Sequence, residues 1–187
     1  MDKKSHSFSL LALLFIPLFL FLLTSCVPEK PKDILVSYKS ANIIGYENKP
    51  IVIDSEFLPS MYRIDSYARE NGVIVYVTSS FRTPDQILTG TIVHSSKRSN
   101  HLAGHAIDMN VFYNGDLYDS NLLRKSNLKN RPCNVRNFIN DIRKDKTLRW
   151  GGDFKDQDPV HIDDNLNSDP NAWQARFDAC QYGIVSE

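Results

Sequence analysis

Two stretches in the second half of the chain carry side chains able to do chemistry together. Ser99-Asn100-His101-Leu102-Ala103-Gly104-His105-Ala106-Ile107-Asp108 offers imidazoles and a carboxylate, and Asp158-Pro159-Val160-His161 offers one more of each. Two imidazoles and a carboxylate make a ligand set for zinc, whose hydrolytic sites use three protein ligands and leave a position for water. A second carboxylate beside the last histidine could serve as the base that takes the proton of that water. Spacing alone leaves an ambiguity. His101, His105 and Asp108 would share one face if this stretch were helical. Gly104 weakens a helix, and Ile107, Met109, Val111 and Tyr113 alternate with Asp108, Asn110 and Phe112 as a strand would. His101 is therefore expected in a loop and Asp108 on a strand, with His161 as the third ligand.

The elements that must position these groups can be read along the chain. Glu56 to Gly72 predicts a helix, with Pro59 in its first turn and Gly72 as its stop. Val73 to Thr78 is a β-branched run expected as a buried strand. Thr83-Pro84-Asp85-Gln86 has the form of a capping box and predicts a second helix, which leaves Ser80 and Arg82 in a strand-to-helix loop. Asn114-Gly115 predicts a turn after the Ile107–Tyr113 strand, and residues 116–131 read as a polar excursion. Cys133 to Lys144 has helical spacing. Leu148-Arg149-Trp150-Gly151-Gly152 reads as a strand running into a corner, with Trp150 in the core or on a cleft floor. A short strand is expected around His161, and Asp169-Pro170 opens a closing helix. The pattern is α+β: a small, mostly antiparallel sheet with helices packed around it.

Composition bounds the rest. The chain has 187 residues with 22 basic and 22 acidic side chains, enough for one sizeable core and without the basic excess that nucleic acid would require. Residues 1–25 read as a targeting segment: Lys3 and Lys4, then an apolar run of 14 residues from Leu10 to Leu23, too short to span a bilayer. Leu23-Thr24-Ser25-Cys26 resembles the lipobox of bacterial lipoproteins. The resemblance implies cleavage before Cys26, lipidation of that residue, and anchoring at the cell envelope, on the outer membrane where the cell has two. Residues 26–50 are expected as a tether that ends in a short strand, and 51–187 as the folded domain. Cys133 and Cys180 remain, and an even pair in an exported domain predicts a disulfide, with two separate buried thiols as the alternative.

Taken together, Ser99-x-His101-x-x-Gly104-x-Ala106-x-Asp108, the upstream Ser80-x-Arg82-Thr83 with Gln86, the Trp150-Gly151-Gly152 corner and Asp158-x-x-His161 resemble the zinc D-Ala-D-Ala carboxypeptidase and L-alanyl-D-glutamate endopeptidase family, which shares its fold with the hedgehog signalling domain. The resemblance implies His101, Asp108 and His161 as zinc ligands, Asp158 as catalytic base, and Arg82 as a group that binds substrate and oxyanion. It also implies peptidoglycan stem peptides as substrate. Asp156 is a rival base. His105, where the family does not demand histidine, is expected behind the ligands or on the cleft wall. Ser80 and Ser99 are expected to bond backbone or supporting groups, and His94 to be solvated. A monomeric enzyme acting as a D,D-carboxypeptidase or as an L,D-endopeptidase is the leading expectation; the sequence does not separate the two, and the first is the favoured label. The alternative is a non-catalytic zinc-containing lipoprotein that binds the wall or a partner.

Overall fold

The structure, a computed structural model, describes residues 33–86 and 97–183. Its longest strand is β5 (Ala106–Tyr113), and the rest is arranged around it. β1 (Leu35–Tyr38) pairs antiparallel with β3 (Ile51–Asp54) in a two-stranded sheet. The main sheet runs β2 (Ile43–Gly45), β4 (Ile74–Ser79), β5, β8 (His161–Asp163), β7 (Arg149–Trp150), with β6 (Asp116–Tyr118) also paired to β5. Among the described strands, only β2 against β4 is parallel. The α+β expectation with a mostly antiparallel sheet holds.

Ile107, Met109 and Val111 of β5 join Val75 and Val77 of β4 and Ile162 of β8 in the core. On them lie α1 (Leu58–Glu70), through Met61, Ile64 and Ala68, and α3 (Cys133–Lys144), through Val135, Phe138, Ile139 and Ile142. Each fully buried side chain of this size contributes roughly 1.5–3 kcal/mol. Strand alternation then turns Asp108, Asn110 and Phe112, all only partly buried, to the face away from those helices. A metal ligand on that face stays within reach of a substrate.

Local signals explain the boundaries. Asp54 accepts from the Glu56 N–H at 2.8 Å and caps the short turn Ser55–Phe57 that leads into α1. Asn114 and Gly115 both take positive φ, 51° and 92°, which is what a two-residue hairpin between β5 and β6 requires. The excursion at 116–131 thus begins as a strand and continues into α2 (Lys125–Leu128). Asp169 accepts from Asn171 and Ala172 N–H and opens α4 (Pro170–Tyr182).

Three expectations are corrected or left outside. The stretch 26–50 belongs to the fold earlier than the short strand expected at its end: β1 and β2 both lie within it, and Ile43 and Tyr38 are buried in the core. Strands of three or four residues are too short to show a period. The disulfide is absent: Cys133 is exposed at the start of α3, whereas Cys180 is buried and its thiol faces an Asp54 carboxylate oxygen at 3.3 Å and the Ala103 carbonyl at 3.4 Å. The helix expected after Thr83 begins as a turn closed by Gln86 N–H on the Thr83 carbonyl, and its remainder, with His94, lies outside the described residues, as do residues 1–32. Among the described residues no helix is long and apolar enough to cross a membrane.

Candidate metal centre

The ligand-bearing residues come from three places in the fold. His101 lies in a short 3-10 turn, Asn100–Ala103, which Gly104 ends at φ +70°. A side chain at 104 would also put its Cβ 2.6 Å from the Asp54 amide nitrogen, so the glycine is needed twice over. The chain then enters β5, where Asp108 stands directly opposite His161 of β8. His161 is set by the preceding corner. Gly151 C=O accepts from the Asp158 N–H at 2.9 Å, Asp158 C=O accepts from the His161 N–H at 3.0 Å, and Pro159 C=O accepts from the Trp150 indole at 2.7 Å. A Cβ on Gly151 would lie 2.3 Å from the Asp158 carbonyl oxygen. The Asp-x-x-His spacing is thus one closed turn. Trp150 is its buried floor.

His101 Nε2, Asp108 Oδ1 and His161 Nδ1 converge at 3.1, 3.1 and 3.2 Å from one another. Ligand atoms held tetrahedrally at about 2.0–2.1 Å from zinc stand about 3.3 Å apart. The outer ring nitrogens settle the tautomers. His101 Nδ1–H donates to the Ser80 carbonyl at 2.7 Å, an atom that can only accept. His161 Nε2–H donates to Asp163 at 3.0 Å. His101 therefore presents a lone pair inward, and His161 would do the same once a metal takes the place of the Nδ1 proton that it shares with Asp108. Three acceptors face to face call for a cation.

The electrostatics express the same demand. Burial disfavours a charged His161, but hydrogen bonds and charges from Asp108 and Asp163 outweigh it and push its pKa up to about 9. Burial also works against a charged Asp108, yet the charges and hydrogen bonds of His101 and His161 hold it far below the usual carboxylate range. The donor set fits a divalent metal: two neutral imidazoles, a carboxylate, and outer nitrogens tied to oxygen acceptors.

Asp158 is half-buried within the field of this cluster. Burial and the negative charge of Asp108 raise its pKa, against the attraction of His161, His101 and Arg82. Arg82 is buried, its Nη2 donating to Ser99 Oγ at 3.3 Å; burial pulls its pKa down while Asp108 and Asp158 pull it back up. Ser80 Oγ accepts from the Val52 N–H at 3.1 Å and Ser99 carbonyl from the Trp173 indole at 3.2 Å, so both serines are supports. Asp156 is exposed.

His105 goes elsewhere. The left-handed turn at Gly104 sends it away from the cluster, into a buried ion network. Its Nδ1 lies 2.7 Å from Asp164 and its Nε2 3.5 Å from Asp54, which Arg176 of α4 also grips. Burial disfavours its charge, but Asp164 and Asp54 outweigh that and raise its pKa from 6.5 to about 9. A raised pKa means stability that is fully present below pH 6.5 and lost as pH climbs through about 9, at most about 3 kcal/mol. Urea unfolding of wild type and His105→Gln at pH 6 and pH 10 checks this. The gap between the two proteins is expected to shrink at the higher pH, and an equal gap would remove the charged link. His161 titrates in both and cancels.

Sequence reasoning missed the roles of three residues around these histidines, although Asp163 was legible as part of the acidic surroundings of Asp158. Asp163 sits two positions after His161 on one strand, a spacing that places both on one face and that could have been noticed. Arg149 and Asp54 carried no such local signal.

With this geometry in place, residues 93–164 match a family model described as D-alanyl-D-alanine carboxypeptidase. The match, short of half the chain, takes in His101, Asp108, Asp158 and His161 and bears out the resemblance drawn from the motifs. The matched family is one of peptidases. Among solved structures, the chain is similar to the crystal structure of Serratia marcescens L-Ala D-Glu endopeptidase ChiX, at 18% identity and a TM-score of 0.37, over 59% of this chain and 81% of that one. No curated protein matches the chain.

Proposed function

We propose that this chain is a zinc metallopeptidase that hydrolyses an amide bond in peptidoglycan stem peptides, in the manner of a D,D-carboxypeptidase. The observation that carries the proposal is the convergence of His101 Nε2, Asp108 Oδ1 and His161 Nδ1 inside the segment that matches the peptidase family. A zinc ion held by those three atoms would polarise the scissile carbonyl and bring the pKa of water down toward about 7.

The chain's own residues supply the rest. Asp158, raised by burial and by Asp108, is suited to take a proton from the attacking water and pass it to the leaving amine. Arg82 is planar and permanently charged, and Ser99 orients it; it can meet the developing oxyanion or the terminal carboxylate of a stem peptide through two parallel N–H donors. That second role favours a carboxypeptidase, which must bind a free chain end. The Ser80 and Asp163 acceptors keep both imidazoles in the tautomer the cluster needs. The lipobox-like Leu23-Thr24-Ser25-Cys26 supports an anchor at the bacterial cell envelope, where such a hydrolase meets its substrate.

The test is to incubate the purified zinc-loaded chain with disaccharide-pentapeptides and weigh the products, while fractionating cells that carry Cys26→Ser. Loss of a terminal D-alanine is the expected result, with the variant leaving the membrane fraction. Release of a longer peptide would change the label to endopeptidase. Bound zinc without hydrolysis would move the reading to a wall-binding module.

A further inference from the structure

Register along β8 places four charged or ligating groups in a row. Asp108 stands opposite His161 on one side of the strand, and Arg149 of β7 stands opposite Asp163 on the other. His161 and Asp163 are two residues apart and share a face. Asp163 is almost completely buried. One of its oxygens accepts from His161 Nε2 at 3.0 Å, and both accept from Arg149, through Nε and Nη2 at 2.7 Å each. The Asn165 N–H adds a further bond to Oδ1 at 3.0 Å.

Arg149 is itself held. Its Nη2 also donates to Asn167 Oδ1 at 2.9 Å, and its guanidinium lies 5.3 Å over the Phe154 ring, which stands 5.9 Å from that of His161. Asn167 in turn donates its backbone N–H to Asn100 Oδ1 at 3.0 Å, next to His101. The support behind one histidine thus reaches the turn that carries the other.

We infer that Asp163, clamped by Arg149, is the positioning residue that sets the tautomer and ring plane of His161 and thereby the metal affinity of the centre; this rests on the metal reading given above. A carboxylate accepting two parallel bonds from a guanidinium cannot rotate, so its free lone pair points one way. His161 is then tied at Nε2 and offers Nδ1. Without the clamp the ring is free to turn over, and either nitrogen can carry the proton. Partners of this kind behind metal-bound histidines typically alter affinity by about 10–100-fold.

The experiment measures zinc affinity by competition with a chromophoric chelator for the wild-type chain, Asp163→Asn, Arg149→Lys and His161→Ala. Proton–nitrogen spectra of the zinc-loaded proteins report the His161 ring N–H. Asp163→Asn is expected to weaken zinc about 10–100-fold, and Arg149→Lys in the same direction by less. In the wild type the Nε2 proton should resonate far downfield and exchange slowly, and in both variants it should move upfield and exchange fast. A role limited to holding the strand would lower stability but leave that proton where it is. If wild type binds zinc and His161→Ala loses it, while Asp163→Asn keeps the same affinity and ring signal, the positioning role is overturned and the metal centre stands. If wild type binds no zinc, or His161→Ala still binds it as well, the metal reading fails and this inference falls with it. Should Asp163→Asn not fold, as judged by circular dichroism, Arg149→Lys decides alone, since it keeps both charges and removes only the fork.

Discussion

Asp158→Asn should leave zinc in place and lower kcat by about 10²–10⁴-fold, the range a positioned acid–base group supplies, equivalent to about 3–5 kcal/mol of barrier. The substitution isolates the carboxylate because the turn around it is built from main chain. Asp158 N–H reaches Gly151 C=O, and Asp158 C=O receives the His161 N–H. Asparagine has the same shape and keeps both bonds, so His161 should not move. What disappears is the proton acceptor. Its pKa is raised by burial first and by Asp108 second, which brings a carboxyl group closer to the working pH than an exposed one would be. Zinc content and steady-state hydrolysis measured on the same samples check both halves. Asp156, two residues before Asp158 and exposed, is the rival, and Asp156→Asn is expected to change kcat by less than about twofold. Should Asp158→Asn stay within tenfold of wild type while Asp156→Asn collapses, the roles are exchanged.

The parts of this site legible in the sequence were those written in local patterns. Ile107, Met109 and Val111 announced β5 by alternation, Asn114-Gly115 announced its hairpin, and Asp169-Pro170 announced α4. Placing Asp108 on a strand rather than a helix followed from the same alternation, and it decided which histidine completes the cluster. What stayed hidden depends on register and on distance along the chain. Nothing local to Arg149 says that β7 will set it opposite Asp163. Asp54 and Arg176 meet across 122 positions. β1 and β2 are too short for a period to emerge. Cysteine arithmetic paired Cys133 with Cys180, but the buried thiol is turned into the Asp54 network and the other lies on the surface. His105 is the instructive case. Its position four residues from His101 suggested the same neighbourhood, and a single left-handed glycine between them sends the two rings to different networks.

That divergence makes the sharpest comparison a pair of histidine substitutions. His161→Ala should reduce zinc from one per chain to none detectable and hydrolysis by at least about 10³-fold, whereas His105→Gln should keep both and lose only stability. The argument runs through the lone pairs. His161 Nδ1 is one of three inward acceptors, and without it His101 Nε2 and Asp108 Oδ1 remain as two ligands, too few for a closed zinc site. The fold should survive the loss, because Asp163 keeps its two bonds to Arg149 and is not left uncompensated. His105, by contrast, bonds Asp164 through Nδ1 and turns Nε2 toward Asp54 at 3.5 Å, and so offers nothing to the cluster. Metal analysis by mass spectrometry alongside thermal unfolding reads the two effects separately. Zinc retained in His161→Ala but lost in His105→Gln would mean that His101, His105 and Asp108 form the ligand set after all, on a segment folded as a helix rather than as the 3-10 turn and strand described here. The direct pairing of Asp108 with His161 across β5 and β8, at 3.1 Å between Oδ1 and Nδ1, is the reason to expect the opposite.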